Sequence, residues 1–106
     1  MITTVVKINP RKPNDYDVYI GRPNKWIPKS KPGSDGKWGN PFIIGRDGTR
    51  EEVIQKYRDW IMKQPELLKQ IPTELKGKRL GCWCKPESCH GDVLAELDNS
   101  SIEEMN

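Results

Sequence analysis

"LGCWCKPESCHGDVLAEL", Leu80 to Leu97, decides the fold. It starts on a short apolar run, crosses the polar loop "KPES", and ends with Val93, Leu94 and Leu97 on one helical face. A strand that feeds a helix is the repeating unit of an α/β domain. Just upstream, Gly77 breaks the chain, and Lys78 to Cys84 reads as the strand, entering the core through Leu80.

Working outward, "DGTREEVIQKYRDWIMKQ" predicts an amphipathic helix from about Arg50 to Lys63. Thr49 is its N-cap, Glu52 completes a capping box, and Val53, Ile54, Tyr57, Trp60 and Ile61 recur at helical spacing. Pro65 opens a second short helix, "PELLKQI", which Pro72 is expected to stop. Near the start, Thr3 to Asn9 is β-branched, and Asp15 to Gly21 sets Tyr16, Val18 and Ile20 on one face. With Pro10 and "KPND" between them, these two runs are expected to pair as a hairpin. "PFIIG", Pro41 to Gly45, reads as a strand or a buried plug. The expectation is one α/β domain over residues 1–106: a small mixed sheet, two to three helices, and a strand, loop and helix signature at the C-terminal end. The polar tail 99–106 is expected to fray.

At 106 residues the chain allows one modest core. No apolar run approaches the roughly 20 residues that span a bilayer, and the first residues lack a signal-peptide pattern, so a cytoplasmic protein without a membrane partner is expected. Three cysteines cannot all pair internally, and a reducing compartment keeps them as thiols. Lys7, Arg11, Lys12, Arg22, Lys25, Lys29, Lys31 and Lys37 face only Asp15, Asp17 and Asp35 between positions 7 and 37, which favours an anionic ligand.

All three cysteines and the single histidine lie between Cys82 and His90. Cys82, Cys84, Cys89 and His90 match zinc in number, but C-x-C-x4-C-H departs from the paired knuckles of structural zinc sites. Cys89 sits at a helix start, where backbone N–H groups lower a thiol pKa and make it a candidate nucleophile. In a third reading, Ser88, Cys89, His90 and Gly91 offer amides, hydroxyl and imidazole to an anion at the end of a strand. In a fourth, Cys82 and Cys84 are core residues, while His90 and Asp92 cap the helix. A C-x5-R loop, a P-loop and a dinucleotide GxGxxG are all missing.

The segment "RPNKWIPKSKPGSDGKWGN" has no period. Gly21, Arg22, Gly39 and Asn40 flank it. Arg22 offers a fork suited to phosphate, and Trp38 either stacks on a base or packs in the core with Phe42.

"GRP" (Gly21 to Pro23), "KWGNPF" (Lys37 to Phe42) and "GKRLGCWCKPESCHGDVLAEL" (Gly77 to Leu97) together resemble the domain of unknown function 4326 family. That family is common in bacteria and their phages. The ending is also similar to that of the domain of unknown function 488 family, in which a basic residue stands where this chain has Gly91. Here Lys25 to Lys37 enlarges the loop between "GRP" and "WGNPF". The resemblance implies a pocket built from Arg22, Trp38, Asn40, Cys84, Cys89, His90 and Asp92.

The leading expectation is that a nucleotide or another phosphorylated, nucleoside-like molecule binds there without a cofactor. Gly21, Arg22, Trp38, Gly39, Asn40, Cys84, Ser88 and Gly91 would form the binding wall. Cys89, His90 and Asp92 are the groups for any hydrolysis or glycosyl transfer. The alternatives are a nucleic-acid-binding module using loop 22–40, and a zinc-stabilised interaction domain using Cys82, Cys84, Cys89 and His90.

Overall fold

The computed structural model describes residues 2–12, 14–85 and 87–105, with side chains described through Asn99. Its centre is the strand β3 (Arg79–Cys82), where Leu80, Gly81 and Cys82 are all buried. A strand covered on both faces belongs in the middle of a parallel sheet. β1 (Thr4–Lys7) and β2 (Val18–Tyr19) flank it in the order β1-β3-β2. Both pairings are parallel: Val5 faces Leu80 on one side, and Val18 faces Leu80 on the other.

The expected small α/β domain is therefore present, but the sheet is parallel rather than mixed, and the first two strands do not form a hairpin. β1 and β2 are both recruited by β3, whose Leu80 lies 75 positions after its partner Val5 and 62 after its partner Val18. The backbone extends the β2 pairing at both ends, through Asp17 N–H to the Arg79 carbonyl and Ile20 N–H to the Gly81 carbonyl. Both faces of β2 are covered. Val18 and Ile20 join the main core, whereas Tyr16 and Tyr19 join Ile8 and Ile27 on the other side, so Tyr16 does not share a face with Val18.

The outer edge of β2 is closed by the loop, since Tyr19 N–H donates to the Pro32 carbonyl at 2.8 Å. The next residue, Gly33, has φ +83°, and a Cβ there would lie 2.0 Å from the Tyr19 carbonyl oxygen. Only glycine allows the loop to lie that close.

Helix α1 (Arg50–Ile61) carries the full capping box: Glu52 N–H donates to Thr49 Oγ1, and Thr49 N–H donates to Glu52 Oε1. Its buried residues are Val53, Tyr57 and Ile61, and of these Tyr57 and Ile61 pack in the main core with Leu80, Val93 and Leu94. Helix α2 (Pro65–Gln70) does not stop at Pro72. The chain continues as one π-helical turn over Ile71–Leu75, and Ile71 and Leu75 are buried.

Helix α3 (His90–Met105) runs further than the sequence suggested. The first residue of the expected tail, Asn99, is held: Thr3 N–H donates to Asn99 Oδ1 at 3.0 Å, and Asn99 Nδ2 donates to the Thr3 carbonyl at 3.2 Å. Beside it, the buried Asp98 accepts from Thr3 Oγ1. Asn106 lies outside the described residues. "PFIIG" is neither strand nor plug, because Ile43 and Ile44 are exposed in a loop closed by Asp47 and Gly48. No helix among the described residues is long and apolar enough to cross a membrane.

Candidate functional site

The carboxyl ends of β2 and β3 and the amino end of α3 converge on a cavity of about 360 Å³. In parallel α/β sheets this is where ligands bind, because strand ends and helix starts leave backbone groups and loops facing one space.

β3 delivers Cys82, and the chain then turns so that Cys84 and Cys89 come back beside it. The three sulfurs all lie within 4.8 Å of one another and could hold a metal. Cys82 and Cys89 are buried, Cys84 half-buried, and all three are free thiols on the cavity wall. The Cys84 N–H points at Cys82 Sγ, 3.4 Å away. Bonds accepted from Cys82 and Cys89, helped by Arg50, hold the Cys84 thiol far below its ordinary pKa. Cys82 is pushed up by the bonds it shares with Cys84 and Cys89 and by burial. At Cys89 the Cys82 interaction lowers the pKa, but Cys84 and burial outweigh it and leave the group raised. Thiolate character is thus favoured at Cys84 and disfavoured at Cys89, where the helix start suggested it.

His90 is buried, and its Nε2 meets the Ile20 carbonyl. A carbonyl only accepts, so the ring proton sits on Nε2. Burial holds the imidazole below its usual pKa, with the Ile20 bond opposing. Tyr57 packs edge-on against the ring, at 4.9 Å between centroids. His90 lines the cavity but is outside the sulfur cluster, so the four-ligand zinc set is reduced to three.

Asp92 caps α3. It accepts from Cys89 N–H at 3.1 Å and pairs with Lys85 at 2.6 Å, away from the cavity wall. Gly91 is buried beneath the sheet rather than open to a ligand. A Cβ there would lie 2.6 Å from Ile20 Cδ1 and 3.0 Å from Val5 Cγ1.

Trp38 is wholly buried and absent from the cavity wall, which corrects its assignment as a stacking platform. It belongs to the core with Tyr57, whose hydroxyl donates to the Trp38 carbonyl at 2.8 Å. Gly39 also lies off this wall, on a shallow groove at the other side of Arg22. Gly21, Arg22, Asn40, Cys84, Ser88, Cys89 and His90 all line the cavity. Asn40 is committed to structure, donating to the Val53 carbonyl at 3.2 Å and accepting from Phe42 N–H at 2.9 Å. Arg22 donates to the carbonyls of Asn40 and Phe42 at 3.0 and 3.1 Å, which leaves other N–H groups of its fork available.

Sequence reasoning missed Arg50, Phe42 and Trp83 as cavity residues. Arg50 donates to the Ser88 carbonyl at 3.1 Å, so α1 and the signature loop are joined across the opening. One signal was readable: a cation at the first position of a helix opposes the helix dipole and calls for a reason. Trp83 donates from Nε1 to the Tyr19 hydroxyl at 3.1 Å. Nothing in the spacing distinguished it from the buried Trp38.

The chain is 43% identical over 89 residues to an uncharacterised protein of Acanthamoeba polyphaga mimivirus, an alignment covering 76% of this chain and 65% of that protein. It is 44% identical over 66 residues to an uncharacterised 12.4 kDa protein from the nrdA-td intergenic region of Enterobacteria phage T4, covering 58% of this chain and 59% of that one. The chain thus spans less than two thirds of the length of either relative. No solved structure matches it. The family profile of domain of unknown function 4326 matches residues 6–100, including the "GRP", "KWGNPF" and cysteine segments around the cavity, and the chain belongs to that family.

Proposed function

We propose that the cavity binds a small anionic, nucleotide-like molecule. The observation that carries this reading is the presence of two guanidinium groups, Arg22 and Arg50, on the wall of a cavity at the carboxyl ends of parallel strands. Its volume of about 360 Å³ lies within the range of small-molecule sites. With Trp38 buried, the flat faces for a base are Phe42 and Trp83. If the ligand is also processed by hydrolysis or glycosyl transfer, Cys84 is the group suited to attack it, because His90 Nε2 and Asp92 are held by structural bonds.

A thermal-shift and calorimetry screen of nucleotides and ADP-ribose-like compounds tests this. The expected result is a hit with wild type that Arg50→Gln and Arg22→Ala weaken by about tenfold or more. A screen with no hit, or a hit that both variants retain, would sink the assignment.

A second reading keeps one specific observation: Trp26 is 63% exposed, with Lys25 over its ring at 5.4 Å. An exposed aromatic among lysines suits a single-stranded nucleic acid. That reading requires binding that falls steeply with salt and is lost in Trp26→Ala but kept in Arg50→Gln.

A further inference from the structure

We infer that Cys82, Cys84 and Cys89 form a three-thiolate site for a zinc-like divalent ion, with the fourth coordination position open to the cavity. The inference uses the same cavity as the proposed function but does not depend on any nucleotide binding there.

The fit rests on the placement of the sulfurs. A zinc ion bonds sulfur at about 2.3 Å, so the edges of a tetrahedral site are about 3.8 Å. Three sulfurs within 4.8 Å of one another need to contract by only about an ångström to meet that. Fold elements already hold them. Cys82 ends β3, Cys84 follows two residues later, and Cys89 precedes α3, fixed by its N–H bond to Asp92. The intervening loop is folded back by Glu87 N–H on the Cys84 carbonyl at 2.9 Å.

The fourth position follows from what is missing among the described residues. His90 is the nearest alternative ligand in sequence, but it is tied to Ile20 and lies outside the cluster. All three cysteines line the cavity, so an ion among them faces that space. Structural zinc sites are closed by four protein ligands, whereas sites that bind an exogenous group keep one position free. Each metal–sulfur bond replaces an S–H bond, and the proton leaves to solvent for every sulfur still protonated. Three thiolates and a divalent ion carry a net negative charge, which Arg50, a cation on the same cavity wall, offsets.

The test uses the full chain, stripped with chelator under reductant and titrated with cobalt(II), then zinc(II). One equivalent of cobalt should bind with a thiolate-to-metal charge-transfer band, and zinc should displace it. Cys84→Ser should weaken binding by about tenfold or more, while His90→Gln keeps the band. Added imidazole should change the visible bands, since it can enter an open position. Zinc-edge X-ray absorption on wild type should count three sulfur neighbours, a reading that needs no variant to fold. Absence of the band in folded wild type, equal binding by Cys84→Ser, a spectrum indifferent to imidazole, or fewer than three sulfurs would overturn the site. No nucleotide enters these measurements, so their failure leaves the ligand reading standing.

Discussion

His90 donates its Nε2–H to the carbonyl of Ile20, tying the first residue of α3 to the end of β2. The bond joins two sides of the cavity and fixes the neutral tautomer with its proton on Nε2. His90→Ala is expected to cost about 2–3 kcal/mol, because it leaves a buried carbonyl unpaired and removes the ring packed on Tyr57. His90→Gln, which retains a donor, is expected to cost less than half of that. Urea melts of the two variants check the order, and equal costs would argue against the bond.

The beginning of the chain is locked to α3 through a buried carboxylate. Thr3 Oγ1 donates to Asp98, whose other oxygen has no partner among the described residues. Thr3→Val should therefore destabilise by about 2 kcal/mol, leaving Asp98 buried and unpaired. Adding Asp98→Leu should recover part of that loss, since replacing both partners by apolar groups can be nearly neutral. A double-mutant cycle in urea measures the coupling, and strictly additive losses would remove the lock.

What was legible in the sequence was mostly local. The Thr49 and Glu52 capping box lies within four residues and forms as read. The hairpin failed because the two runs carry no record of a third strand, 75 positions after β1 and 62 after β2 at Leu80. Only the burial of Leu80, Gly81 and Cys82 on both faces places that strand between them. Likewise, composition treats Trp38 and Trp83 alike, although the fold buries one and sets the other on the cavity wall. The sulfur cluster was legible as a count of ligands. That His90 turns away to Ile20 depended on β2 being beside α3.

Acid sensitivity should be visible at the edge of the sheet. Asp17 accepts from the Arg79 side chain at 3.1 and 3.2 Å and from its backbone N–H at 2.8 Å. The Arg79 side chain, then its backbone N–H, hold this carboxyl below its ordinary value of 3.8. A depressed folded-state pKa means that the contribution is fully present above the unfolded value and disappears as pH falls through the folded one. Asp17→Asn should thus lower the thermal midpoint at neutral pH, and its difference from wild type should shrink below about pH 4. A constant difference down to acid would show that the charge is not what the pair contributes.

Cys84 should be the thiol that reacts first. It is the half-buried member of the cluster, and the bonds it accepts from Cys82 and Cys89 favour its thiolate, whereas those two neighbours are buried and held protonated. Alkylation depends on thiolate character and access together, so both factors point to the same sulfur. Iodoacetamide at neutral pH, followed by peptide mapping, should label Cys84 in native protein about tenfold or more faster than Cys82 or Cys89. Cys84→Ser should lose the fast phase, while Cys82 and Cys89, which belong to the core with Leu80, Val93 and Leu94, stay slow. Prior zinc loading should slow the reaction, since a sulfur bonded to the ion no longer presents a free pair of electrons. Preferential labelling of Cys89 would reverse the order of reactivity and return the nucleophile to the helix start.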